Sequence, residues 1–229
     1  MRRSLSAIAA AILLGLFASP VIADSVVKGT RIEEVVKEIA ERQRKIETLE
    51  ADFRQRKELS LLASAEISEG RFVFAKPNRV LWSYETPEPV RMLIADGWLT
   101  TYYPDLERAE TIEVRRFEDR IFRYLGAASG AIEELGRYFD FKFIDRKDEP
   151  AYVLELTPKT KTVARRVRKL TIWIDRETFI TSSFEYVEGD GDTTQYEFFN
   201  ITINGPVPPA TFRLDLPAGV RVEQVKLNR

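Results

Sequence analysis

The chain has 229 residues, 44% of them hydrophobic and 31% charged, with 35 Lys and Arg against 36 Asp and Glu, and it contains neither histidine nor cysteine. Those two zeros remove Ser/His/Asp and Cys/His nucleophile sets, imidazole proton shuttles, disulfides and zinc–thiolate sites. Any enzyme built on this chain has to work with carboxylates, lysine, tyrosine or an oxygen-liganded metal, and the near-neutral charge argues against nucleic acid as a partner.

In chain order, the first predicted element is a targeting segment. Arg2 and Arg3 precede an apolar stretch of 13 residues, Leu5 to Phe17, and Val21 and Ala23 supply an AxA-like cleavage site. This is the pattern of a secretory signal peptide over residues 1–23, because a membrane span needs about 20 apolar residues. The mature chain, 24–229, then carries a net charge of −3. Export without disulfides suits a bacterial periplasm, and with no cysteine to lipidate, the mature protein is expected to be soluble.

An amphipathic helix follows. Thr30 and Glu33 form a capping box, and Ile32, Val35, Val36, Ile39, Ile46 and Leu49 keep a 3.6-residue period suited to covering a sheet. The period then changes to two: Phe72 and Phe74; Val80, Trp82 and Tyr84; Val90, Met92 and Ile94, before a turn at Asp96 and Gly97. It resumes through Phe139, Phe141 and Phe143, then Tyr152, Leu154 and Leu156, then Leu170, Ile172 and Ile174, then Phe184 and Tyr186, then Tyr196 and Phe198. Between these runs, residues 117–138 read as short helices, with Ile121, Phe122 and Leu125 before a break at Gly126 to Gly130 and Ile132 and Leu135 after it. Regular strands without α/β alternation predict a mainly β fold: a strongly curved antiparallel sheet, an open or closed barrel, with helices over one face. With no repeats or linkers, residues 24–229 read as a single domain.

Carboxylates are the one common catalytic pair left, yet Glu85, Asp175 and Glu197 fall on the polar parity of strands or in turns, as expected of a solvated outer face. Residues 188–192, EGDGD, have alternating acids but lack the spacing of an EF-hand, and read as a hairpin turn. Lys159, Lys161, Arg165, Arg166, Arg168 and Lys169 form a basic run, either a solvated hairpin or a dock for an acidic partner or anionic headgroups. Leu59, Leu61 and Leu62 cluster before Gly70, as an extension of a strand or as an exposed tip. No phosphate-binding glycine motif occurs. The positive signal is aromatic: 14 Phe, 8 Tyr and 3 Trp, repeatedly on one strand parity. Such rings either fill a closed core or line an apolar hollow suited to acyl chains.

Several segments, in order, are similar to the outer-membrane lipoprotein carrier family, LolA. They are Phe53 and Gln55 on the first strand, KPNRVLWSYETP from Lys76 to Pro87, the Asp96–Gly97 turn before an aromatic strand ending at Pro104, LTPK from Leu156 to Lys159, and LPAGVRV from Leu216 to Val222. The resemblance implies an unclosed, strongly curved antiparallel β-barrel covered by a helical lid. It implies a monomeric periplasmic chaperone, not an enzyme and without a cofactor or metal, that takes lipoproteins from an inner-membrane ABC transporter to an outer-membrane receptor. Phe53, Phe72, Phe74, Val80, Trp82, Tyr84, Met92 and Ile94 would line the acyl-chain cavity, and Ile121, Phe122, Leu125, Ile132 and Leu135 the lid. The family's lid latch, often Arg, is here Lys76, whose ammonium cannot reproduce a planar fork of donors; its alternative is an exposed strand-end lysine. Val80, Thr100 and Thr101 also depart from positions that are commonly aromatic or apolar. The competing readings are a lipid- or lipoprotein-sensing regulatory module on the same scaffold, and an enzyme with an acidic pair in the cavity.

Overall fold

The computed structural model describes residues 30–60, 64–115, 138–146 and 148–226. The expected signal peptide and all five expected lid residues lie outside that range. The helix α1 (Thr30–Arg44) is followed by β1 (Thr48–Glu58), β2 (Glu66–Ala75), β3 (Arg79–Thr86), β4 (Val90–Ala95), β5 (Trp98–Tyr103), β6 (Arg108–Glu113), β7 (Phe139–Ile144), β8 (Ala151–Pro158), the single turn α2 (Lys161–Ala164), β9 (Val167–Asp175), β10 (Thr181–Glu188), β11 (Thr193–Ile203) and β12 (Arg221–Gln224). The strands hydrogen-bond in the order β12-β6-β5-β4-β3-β2-β1-β11-β10-β9-β8-β7, which begins and ends without closing on itself. The fold is therefore mainly β, on an open sheet.

The expected antiparallel pairing fails at one edge. The sheet is not antiparallel throughout, because β12 runs parallel to β6, pairing Arg221 with Arg108 and Gln224 with Thr111. A parallel neighbour requires a long crossover. Here the chain reaches it only after β7 to β11.

The described strands fall into two units. The first holds β2 to β6, β12, residues 48–54 of β1 and residues 198–203 of β11. Its hairpin at Asp96 and Gly97 has φ of +53° and +83°, the left-handed pair that a two-residue type I′ turn requires and that an Asp-Gly sequence supplies. Asn204, also left-handed, accepts from the backbone N–H of Glu47 at 2.7 Å and donates its own N–H to the Thr48 carbonyl at 2.8 Å, fixing the start of β1.

Both faces of β2 to β4 carry apolar side chains. On one, Phe72, Phe74, Val80, Met92 and Ile94 are buried. On the other, Val73, Ala75 and Leu93 are buried with Phe212, and Leu81, Ala95, Val207 and Leu214 pack around them. The Arg79 guanidinium lies 4.9 Å from the Phe212 ring centroid and closes that cluster's edge. The expected solvated outer face is thus replaced in β2 to β4 by a second core, made by residues 207–214 folding back over the sheet.

The second unit holds α1, α2, β7 to β10 and the rest of β1 and β11. Leu154, Leu156 and Ile174 are fully buried, opposite Ile172, Leu170 and Tyr152. On α1, Ile39 is fully buried, and Arg42 stacks 4.6 Å from the Phe179 ring. Arg176 fastens the β8–β9 end: it lies 4.3 Å from the Tyr152 centroid, 2.7 Å from Asp145 and donates at 2.7 Å to the Glu149 carbonyl.

Candidate functional site

The expected cavity residues come together on one face of the first unit. Antiparallel partners carry their side chains on the same side of a sheet. Phe72 stands opposite Trp82 and Trp82 opposite Met92; two residues along, Phe74 stands opposite Val80 and Val80 opposite Ile94. Phe53 of β1 joins this face, with its ring 5.3 Å from Trp82 and 5.0 Å from Tyr84. Phe72 meets Trp82 edge-on at 4.8 Å. Edge and tilted contacts of this kind add to area burial.

Exposure divides the group. Phe53 is 0% exposed and Val80 2%, so they support the face, whereas Trp82 and Tyr84 are half-buried and offer surface. Two partners were not anticipated from sequence. Phe198 of β11 lies 6.1 Å from both Phe72 and Trp82, and Leu99 of β5 continues the Phe74–Val80–Ile94 row to Ile112. Phe198 was legible as a strand residue; only pairing across the sequence shows which face it shares.

Gly70 makes the approach of Phe53 possible. A Cβ there would lie 2.9 Å from the Phe53 ring and 1.9 Å from the Ser83 carbonyl oxygen. The glycine sits opposite Tyr84, where the β2–β3 register shifts.

Lys76 lies at the β2–β3 turn, not on the apolar face. Its Nζ donates to Glu47 Oε1 at 2.9 Å, and its backbone N–H donates to the Glu47 carbonyl at the same distance. Lys76 therefore ties the turn to the start of β1.

The remaining flagged groups occupy structural positions. Glu85 and Glu197 are exposed, and Asp175 Oδ1 accepts from the backbone N–H groups of Glu177 and Thr178 and from the Thr178 hydroxyl. Burial raises the Asp175 pKa, but the Thr178 and Glu177 hydrogen bonds outweigh it and the net shift is downward. Residues 188–192 form the β10–β11 hairpin turn, with Glu188 N–H donating to the Asp192 carbonyl at 2.7 Å and Gly191 at φ +101°. The basic run spans the β8–β9 connection: Thr160 caps α2 by accepting from Val163 N–H, and Lys169 pairs with Glu155 at 2.7 Å, while Lys161, Arg165 and Arg166 are exposed. Leu59 is half-buried, and Leu61 and Leu62 lie outside the described residues.

A polar patch in the second unit also escaped the sequence reading. Gln55, Lys57 and Thr194 are buried, and Glu188 lies near Lys57 at the end of β10. Burial raises the Glu188 carboxyl pKa, Lys57 lowers it, and Asp190 and Asp192 raise it further; the net shift is upward.

Among the described residues, no helix is long and apolar enough to cross a membrane. The family model described as outer membrane lipoprotein carrier protein LolA matches residues 44–215. An outer-membrane lipoprotein carrier protein of Ralstonia nicotianae is 32% identical over 169 residues, covering 71% of this chain and 72% of that protein. One of Pseudomonas putida strain W619 is 25% identical over 195 residues, covering 83% and 86%. Among solved structures, an uncharacterized conserved protein from Thermus thermophilus matches with a TM-score of 0.54 at 8% identity, over 85% of this chain and 99% of that one, a likeness of fold.

Proposed function

Because the chain belongs to the outer-membrane lipoprotein carrier family, LolA, we propose that it is a periplasmic carrier that shields the acyl chains of lipoproteins between an inner-membrane ABC transporter and an outer-membrane receptor. The observation that carries this reading is the aromatic face of β2 to β4 with the adjoining β1 and β11, where Trp82, Tyr84 and Phe198 offer surface over buried Phe53, Phe72 and Met92. Exposing an acyl chain costs about 0.8 kcal/mol per methylene, so a long chain costs on the order of 10 kcal/mol and needs a host to cross water. An apolar, non-titrating surface binds such a chain reversibly without chemistry. The partners at each end and the periplasmic location follow from the family's role. In this proposal Ile121, Phe122, Leu125, Ile132 and Leu135 belong to the lid and Lys76 helps to control it.

Depletion in the native bacterium tests the function. Lipoproteins should remain on inner-membrane spheroplasts, and adding the purified protein should release them into the supernatant. Normal release without the protein would overturn the reading. For Lys76, replacement by leucine should leave folding intact and slow delivery to the receptor; unchanged transfer kinetics would remove it from lid control.

A further inference from the structure

The row that begins on the aromatic face does not stay apolar. Phe72 stands opposite Trp82, Trp82 opposite Met92, Met92 opposite Thr101 and Thr101 opposite Glu110, so all five share one face across β2 to β6. At about 4.8 Å per strand, this row is about 19 Å long, comparable to an extended acyl chain. Tyr103 and Arg108 form the neighbouring pair on the same face, two residues along β5 and β6.

These two side chains hold unused donors. Tyr103 is 6% exposed, and its hydroxyl is enclosed without a hydrogen-bond partner; the same is true of Arg108 Nε. The Arg108 guanidinium lies 5.2 Å from the Tyr103 ring centroid, and its Nη2 donates to Glu110. A buried donor left unpaired costs about 1–3 kcal/mol, which an incoming acceptor recovers. The cluster is therefore incomplete without a guest.

The charge selects the guest. Glu110 already neutralises Arg108, so a phosphate or free carboxylate would meet an opposing carboxylate and would have to lose its hydration. An uncharged carbonyl oxygen can accept from either donor without that cost. We infer that Tyr103 and Arg108 form a polar subsite for the ester carbonyl at the head of an acylated ligand, with the chain itself lying along Met92, Trp82 and Phe72. This inference rests on the acyl-carrier reading and deepens it by stating where the polar end of the cargo sits.

The test uses the full chain and two synthetic diacylglyceryl-cysteine lipopeptides of equal chain length, one with ester links and one with ether links, titrated by calorimetry. The ester form should bind about 3- to 10-fold more tightly. Tyr103→Phe, which keeps the ring, should lower the ester's affinity toward the ether's and leave the ether unchanged; Arg108→Lys, which keeps the charge but loses Nε–H, should do the same, and the two together should abolish the ester preference. Equal affinities for ester and ether in the natural sequence, a comparison that needs no variant, would overturn the subsite alone. Failure of both lipopeptides to bind would instead overturn the acyl-carrier reading beneath it. A parallel pair of short-chain diester and diether phosphatidylcholines distinguishes the source of the carbonyl. An ester preference there extends the subsite to phospholipid glycerol esters, and one confined to the lipopeptides assigns it to lipoproteins.

Discussion

Gly70 is the residue at which backbone geometry bears most directly on the aromatic face. A methyl group added there collides with a backbone carbonyl, which cannot swing away as a side-chain tip can. Gly70→Ala should therefore lower the unfolding free energy by about 1–3 kcal/mol, read as a reduced denaturant midpoint. Glu188 gives a pH signature in the other unit. Its carboxyl pKa in the folded state is raised above the ordinary value, chiefly by burial, so the folded state holds that proton more tightly than the unfolded chain. Stability from this group is then greatest at low pH and falls as pH rises through the interval between the unfolded and folded values. Thermal melts of Glu188→Gln and the natural sequence from about pH 4 to about pH 7 should show the variant gaining ground as pH rises. A constant difference would count against the raised pKa.

At the scale of elements, the single 3-10 turn Pro209–Phe212 covers the sheet as a longer helix would. Phe212, 6% exposed, covers Val73, Ala75 and Leu93 on the face of the sheet opposite the aromatic one. Phe212→Ala should cost about 3–5 kcal/mol in denaturant unfolding. In conditions where the variant remains folded, affinity for a lipopeptide should be little changed, because the substitution lies on the other side of the strands. This second core also explains what sequence could and could not reveal. Strands such as β3 and β10 announced themselves by alternating large apolar residues. The strand β6, RAETIE, has only Ala109 and Ile112 as apolar members and carries no strand signal of its own, and β12 has no period at all. Val73, Leu81 and Leu93 stand on the strand parity opposite the aromatic one, and the sequence does not show that it is covered, because the cover arrives from more than a hundred residues away along the chain. The aromatic row was legible almost in full, since its members are local and periodic. Phe198 and the Tyr103–Arg108 pair needed strand order and pairing, which a pattern of period two does not contain.

For the molecule as a whole, a carrier that binds cargo only when folded must be stabilised by that cargo. Free lipopeptide at 100 times its dissociation constant contributes about 2.7 kcal/mol, so the melting temperature should rise steadily with ligand concentration. If cargo binds the aromatic face by burial, as proposed, and the Arg108 charge stays paired with Glu110, the rise should change little between low and high salt. A ligand effect that disappeared in high salt would shift attention to the exposed Lys161, Arg165 and Arg166. The intrinsic Trp82 fluorescence should move with the same titration, since that ring is half-buried on the proposed contact surface.

The parallel pairing of β12 on β6 has a consequence for the order of assembly. Arg221 must find Arg108, and Asn204 must find Thr48, across long stretches of intervening chain. Contacts this remote close late, after local hairpins have formed, and chains dominated by them fold slowly. While the polypeptide is being made, the hairpins of β2 to β5 can assemble long before residues 207–214 and 221–224 exist to cover one face and complete one edge. For that interval the nascent protein displays two apolar faces where the finished one displays part of a single face. The surface proposed to bind cargo is thus present, and uncovered, before the chain that would carry it is complete.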